Sequence, residues 1–115
     1  MGNQLRNLQT VHTHIQRGEV VANSPKEYTI YHSKSGSFVT EIEFQKGNIE
    51  DTGLNGVFLE DLLLISIDQL EHYQNSEFAC QENEDTLRHL RAALASTRAR
   101  QYDRMIRHVQ GKYEK

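Results

Sequence analysis

The sequence predicts an α+β fold: a small N-terminal β-hairpin or sheet packed on a long antiparallel two-helix hairpin, in a chain that is oligomeric. Three observations favour this fold. Apolar and polar residues alternate between Tyr28 and Phe44, which is typical of strands. From Val57 onward the apolar residues recur with a helical period instead. The second predicted helix is about 29 residues long, which exceeds the diameter of so small a domain.

Length and composition predict one domain. The chain has 115 residues, of which 37% are hydrophobic and 25% are charged, and this suits a single core. We divide this domain, residues 1–115, into an N-terminal helical segment, a β-hairpin with its connection, and a helical hairpin. These parts span residues 1–25, 26–57 and 58–115.

Several classes of protein and site are excluded. The longest apolar stretch, residues 57–70, contains three acidic residues, so we expect no membrane span. Neither a signal peptide nor a lipid anchor is predicted. Cys80 is the single cysteine, so no internal disulfide is expected. The six histidines lack metal-ligand spacing, and we predict neither a metal nor a cofactor.

Two elements are predicted in the first half. Apolar residues at spacings of three and four predict an amphipathic helix over residues 3–17, ended by Gly18. The alternating residues 28–32 and 38–44 flank the turn residues 34–37 and predict a β-hairpin. Because two strands alone are marginally stable, their apolar face needs a cover from helices or another chain.

The second half predicts two helices, over about residues 58–73 and 81–109. The first is apolar around much of its circumference and should be buried on more than one side. So short a chain has little material for that burial, which favours an oligomer. The second helix must project beyond the first, and its last third is basic.

Charge is segregated along the chain. Residues 41–85 carry twelve acids and one base, whereas residues 86–115 carry eight bases and two acids. An overall acidic chain does not suit binding to long nucleic acid. Arg100, Arg104 and Arg107 lie on one face of the predicted helix and match the donors that a phosphate or pyrophosphate needs. The alternative is a solvated face, or pairing with acidic segments of the same or another subunit.

Aromatic and amide residues near the turn between the helices complete a possible nucleotide site. Tyr73 and Phe78 bracket that turn, and Asn83 follows it. A ring that stacks on a base, an amide and phosphate-binding arginines together make such a site. Taken singly, the same residues are core, packing and capping residues. A hydrolase would need a base or nucleophile, and for that role the chain offers Glu82, His72 or Cys80 without a recognised motif.

Four segments carry a family pattern. They are Phe44–Leu63 with its glycines and Asn55, Ile67–Gln74, Phe78–Asn83, and Arg100–Gly111. With these residues the chain resembles the phage Thoeris anti-defence sponge family over about residues 42 to 113. That family shares its helical hairpin with an anti-CBASS sponge family.

The resemblance implies a small phage protein that catalyses nothing and acts in the cytoplasm of the infected bacterium. Relatives capture cyclic ADP-ribose isomers made by TIR-domain immune enzymes, so the downstream effector receives no signal. Some also hold cyclic di- or trinucleotides of the CBASS system at separate sites. Relatives form homo-oligomers, either dimers or hexamers built as trimers of dimers. No membrane and no long nucleic acid is expected as a partner.

The resemblance also assigns roles to residues. Tyr73 stands at the position that stacks on adenine, Asn83 at its polar partner, and Arg100 and Arg104 at the arginines that grip the phosphates. The second-site candidates, for a cyclic oligonucleotide, are Arg107, His108, Val109, Gly111 and Lys112. His108 and Lys112 depart from the family's usual glycine and threonine. Sequestering a trace signal needs roughly nanomolar affinity and an enclosed pocket, so we hypothesise that the ligand lies between two chains.

Overall fold

The computed structural model describes residues 8–111, with side chains described up to residue 107. The chain forms two compact units, one ending at Phe58 and the other beginning at Leu59. This boundary coincides with the predicted start of the helical hairpin, while the single domain stays a prediction. None of the described helices combines the length and apolarity that a membrane crossing requires.

The first unit contains a three-stranded antiparallel sheet and a small two-stranded one. The larger sheet has the order β1-β4-β5, formed by Thr13–Arg17, Glu27–His32 and Phe38–Glu43. The smaller one pairs β2, Val20–Val21, with β3, Ser24–Pro25. The predicted β-hairpin, β4 and β5, is therefore confirmed. The sheet also contains β1, a third strand that the sequence did not predict.

The predicted N-terminal helix is wrong where the structure describes it. Thr13–Arg17 is a strand whose Ile15 lies opposite Ile30 of β4. The spacing of the apolar residues fitted a helix, but Thr13 and Ile15 also alternate with a period of two and are β-branched, which favours a strand once a partner strand is available. Gly18 ends no helix, because its amide donates to the carbonyl of Glu27. Residues 1–7 lie outside the described residues.

Side-chain hydrogen bonds stabilise the loop that follows the last strand of the sheet. The Gln45 amide donates to the carbonyl of Gly53 (2.9 Å) and accepts from the amide of Asn55 (2.9 Å). The Asn55 side chain in turn accepts from the backbone amide of Lys46 and donates to the carbonyl of the same residue. A Cβ at Gly56 would lie 2.4 Å from the Phe44 carbonyl carbon, so this position requires glycine. The loop encloses the four-residue helix α1, Ile49–Thr52.

The second unit is an antiparallel helical hairpin, as predicted. Helix α2 spans Leu59–Gln74 and α3 spans Gln81–Gly111. Contacts from α2 reach Gln101, so the last ten or so residues of α3, about 15 Å, have no α2 residue opposite them. We call residues 102–111 the overhang.

Burial within the hairpin is slight. Among the described residues, Ile67 and Leu87 are the apolar side chains that are buried. On α3, Leu90, Leu94 and Thr97 are half-buried. On α2, the predicted burial on more than one side is not reached within the chain, because Leu59 and Ile65 are 63% and 61% exposed.

Candidate functional site

Tyr73 and Asn83 lie at the turn that joins the two helices. Tyr73 is in the last turn of α2, and its side chain is 46% exposed. Asn83 is half-buried in the first turn of α3, where its amide nitrogen donates to the carbonyl of Phe78 at 3.4 Å. Phe78 itself is 67% exposed and not the core residue that the sequence favoured. This end of the hairpin therefore carries two exposed rings and a half-buried amide.

Gln74 holds this turn in place and was missed by the sequence analysis. Its side-chain oxygen accepts from the amide of Cys80 (3.0 Å), and its nitrogen donates to the carbonyl of Cys80 (3.1 Å) and to Glu84 (3.1 Å). These three bonds tie the end of α2 to the start of α3. An amide-bearing residue at the end of a predicted helix was the available signal, but it did not identify the partners.

Most arginines of the described chain are paired. Arg88 binds Asp85, Arg91 binds Glu71, Arg98 binds Glu60 and Arg107 binds Asp103, while Arg17 also has an interaction. Arg100 and Arg104 differ, since within residues 8–107 neither has an ion pair or hydrogen-bond partner for its side chain. Both are exposed and lie four residues apart on one helix face. In the part of the chain that the structure describes, theirs are the guanidinium groups that remain available to an anion.

The acidic α2 neutralises part of the basic α3. Arg91 lies 2.9 Å from Glu71, and Arg98 lies 2.5 Å from Glu60. Gln101 adds a hydrogen bond to Glu60, and the bonds from Arg98 and then Gln101 lower the pKa of that carboxyl. The predicted alternative, in which the arginines pair with acidic segments, thus holds for Arg91 and Arg98 within the chain.

The predicted site residues form two groups that the single chain does not bring together. Asn83 and Arg100 lie about 26 Å apart along α3 at roughly 1.5 Å per residue. Tyr73 is on the side of Asn83, since it ends the helix that precedes the turn. A compact nucleotide about 10 Å across cannot contact both groups of one chain.

The second-site candidates are only partly described. Arg107 is exposed and lies 3.2 Å from Asp103. The backbone of His108, Val109 and Gly111 continues α3, but their side chains lie outside the described part of the chain, and so does all of Lys112. The second site stays a prediction.

The residues considered for hydrolysis are scattered. His72 lies 3.5 Å from Asp68 on the exposed face of α2. Cys80 is exposed, and its backbone amide donates to the side chain of Gln74. Glu82 uses its backbone carbonyl to accept from Thr86. Among the described residues, no contact joins these three side chains.

The first unit contains an acidic cluster. Oxygens of Glu27, Glu41 and Glu43 lie within 4.8 Å of one another. The ammonium of Lys46 lies 2.8 Å from Glu27 and supplies a positive charge there. The hydrogen bond and charge of Glu27, with smaller effects of Glu43 and Glu41, raise the pKa of Lys46 above 10.5. The cluster is thus partly neutralised by the protein itself.

The chain is similar to known proteins over its helical hairpin and the strand before it. Residues 39–101 match the family model described as "Acb2/Tad1, hairpin domain". A protein of Bacillus phage SBSphiJ7 named "Thoeris anti-defense 1" is 40% identical over 74 residues, which are 64% of this chain and 52% of that relative. The chain thus matches about half the length of this curated relative. Tyr73, Asn83 and Arg100 fall inside the family match, whereas Arg104 follows it.

Proposed function

We propose, from the premise that the chain belongs to the Acb2/Tad1 hairpin domain family, that it is a phage anti-defence protein that sequesters cyclic ADP-ribose signals. It binds isomers made by TIR-domain immune enzymes in the cytoplasm of the infected bacterium and does not degrade them. The name of the Bacillus phage relative, "Thoeris anti-defense 1", supports the anti-defence role.

The unpaired arginines carry the proposal. Within residues 8–107, Arg100 and Arg104 have exposed side chains without partners, while the neighbouring Arg98 and Arg107 are neutralised by acids. A pyrophosphate offers the paired oxygens that two guanidinium groups on one helix face can bind. Cyclic ADP-ribose carries such a pyrophosphate, and its adenine suits the exposed ring of Tyr73.

Each site is completed by a second chain. Because the aromatic and basic groups of one chain are about 26 Å apart, we propose that Tyr73 and Asn83 of one chain face Arg100 and Arg104 of another. A ligand enclosed from two sides in this way reaches the affinity that sequestration requires. The protein is therefore a homo-oligomer, a dimer or a hexamer built as a trimer of dimers.

Exposed apolar residues on the overhang support this assembly. Tyr102 and Met105 are 65% and 64% exposed, and Ile106 is also exposed. By helical spacing Met105 continues the side of α3 that faces α2, beyond the point where α2 begins, and Tyr102 and Ile106 lie about 60° and about 100° around the helix from it. A second copy of the chain would cover them as α2 covers the residues before them.

Release of the bound molecule tests the function. The purified protein is incubated with each cyclic ADP-ribose isomer and with cyclic di- and trinucleotides, free ligand is removed, and the protein is heated. Chromatography then identifies what emerges. Intact cyclic ADP-ribose in stoichiometric amount supports sequestration. Altered products would make the protein a hydrolase, and no retention would favour a structural module whose arginines only pair with acids.

A further inference from the structure

Glu60 joins two α3 side chains at the point where the overhang begins. One carboxylate oxygen accepts from Nε of Arg98 (2.5 Å), and the other accepts from the amide nitrogen of Gln101 (3.3 Å). Its side chain is 24% exposed, less than any other carboxylate in the ion pairs of the described residues. Lower exposure and a second donor distinguish Glu60 from Glu71, the other α2 carboxylate that pairs with an α3 arginine.

The position of Glu60 at the start of α2 determines which part of α3 it holds. Glu60 is the second residue of α2, and Gln101 is the last α3 residue with a described α2 hydrogen bond. Arg98 and Gln101 are one turn apart on the same side of α3, and the mean direction of Arg100 and Arg104 lies about 110° around the helix from theirs. Two contacts one turn apart restrict rotation of α3 about its axis.

We propose that Glu60 is a positioning residue for ligand capture. By holding Arg98 and Gln101 it fixes the direction in which Arg100 and Arg104 present their guanidinium groups, although Glu60 itself does not touch the ligand. The inference rests on the proposed function. Phosphate recognition by two arginines depends on their relative placement, so a small rotation of the helix weakens it.

The test compares Glu60→Gln with Glu71→Gln. Each variant removes one carboxylate that pairs with an α3 arginine, but Glu71 binds Arg91 in the middle of the hairpin. We measure the Kd for the cyclic ADP-ribose isomer that the wild type retains, together with the thermal midpoint, and hydrogen exchange of residues 98–107. If the competent orientation falls to about a fifth of the population, Glu60→Gln binds about fivefold more weakly. Glu71→Gln stays within about twofold of wild type, since exposed pairs contribute little.

Hydrogen exchange separates positioning from general stability. Glu60→Gln should speed exchange in residues 98–107 selectively, and Glu71→Gln should not. A reversed pair, Glu60→Arg with Arg98→Glu, should recover affinity to within about threefold of wild type. Equal effects of the two glutamine variants on Kd, with wild type binding normally, would overturn the inference alone. A wild type that retains no ligand would overturn the proposed function and this inference with it.

Discussion

Arg98 and Glu60, 38 residues apart in the sequence, form an ion pair at the point where α2 begins and α3 continues without it. This pair shows that acids of α2 and arginines of α3, which are separated in the sequence, form ion pairs within the chain. The acidic helix α2 neutralises Arg91 and Arg98, and within residues 8–107 Arg100 and Arg104 remain available. We therefore propose that an anion from outside the chain binds beside this pair.

Arg104→Glu should abolish ligand capture and leave the oligomer intact. It places a carboxylate where we propose that phosphates bind, and like charges there cost several kcal/mol, which is at least about a hundredfold in affinity. Arg88→Glu is the control, because Arg88 is an exposed arginine of the same helix paired with nearby Asp85. Ligand retention and size are measured by gel filtration with light scattering. Loss of assembly in Arg104→Glu would instead indicate that this arginine pairs subunits.

Gln74→Met should loosen the turn between the helices. Methionine keeps the length of the side chain but loses the three bonds to Cys80 and Glu84. We expect the free energy of unfolding to fall by about 1 to 2 kcal/mol in urea titrations. Gln69→Met is the control, since Gln69 lies on α2, is exposed and has no side-chain hydrogen bond among the described residues. Equal stability of the two variants would contradict a stabilising role for Gln74.

Stability should fall in acid partly because Glu60 becomes protonated. The bonds from Arg98 and Gln101 lower the pKa of Glu60 below its ordinary 4.5. The unfolded chain then binds the proton at higher pH than the folded chain, so this stabilisation is fully present above pH 4.5 and is lost as pH falls through the lowered pKa.

Glu60→Gln should therefore flatten the decrease of the thermal midpoint below pH 4.5. Part of the slope should remain, because Gln81 and Arg88 lower the pKa of Asp85. Glu50→Gln should leave the slope unchanged, since Glu50 has no partner among the described residues. An unchanged slope in Glu60→Gln would show that the ion pair does not form in solution.

Met105→Glu should dissociate the oligomer. Met105 is 64% exposed on the overhang, and a charge buried at an interface is strongly unfavourable. Ser96→Glu adds the same charge to an exposed polar position of α3 and should leave assembly unchanged. Analytical ultracentrifugation gives both masses. Identical masses for wild type and Met105→Glu would exclude Met105 from the interface.

The helical hairpin was predictable because its signals are local. Apolar spacing and turn residues predict α2 and α3 to within a few residues. The first strand was not predictable. Thr13–Arg17 becomes a strand by pairing with β4, which lies further along the chain than the residues on which a local pattern depends. The glycine at 56 is explained only by the close approach of Phe44.

The candidate site was predictable in its residue types and not in its arrangement. An arginine stripe at helical spacing indicates an anion site, but which arginines stay unpaired depends on the alignment of α2 with α3 and on the pairing of Arg107 with Asp103 within α3. Glu60 was one acid among three in its stretch of sequence, and no sequence signal selected it as the partner of Arg98 and Gln101. Contacts between α2 and α3 determine which acid pairs with which α3 side chain.

A complementation measurement tests most directly whether two chains build each site. One chain carries Tyr73→Ala and Asn83→Ala, and the other carries Arg100→Glu and Arg104→Glu. The two are co-expressed with different tags and purified through both tags, and bound cyclic ADP-ribose is then released by heat. Each variant alone should retain none. The mixed assembly should release intact ligand from up to about half the wild-type number of sites, since one of two symmetric sites keeps all four residues. No ligand in the mixed assembly, with wild type binding fully, would contradict the two-chain site.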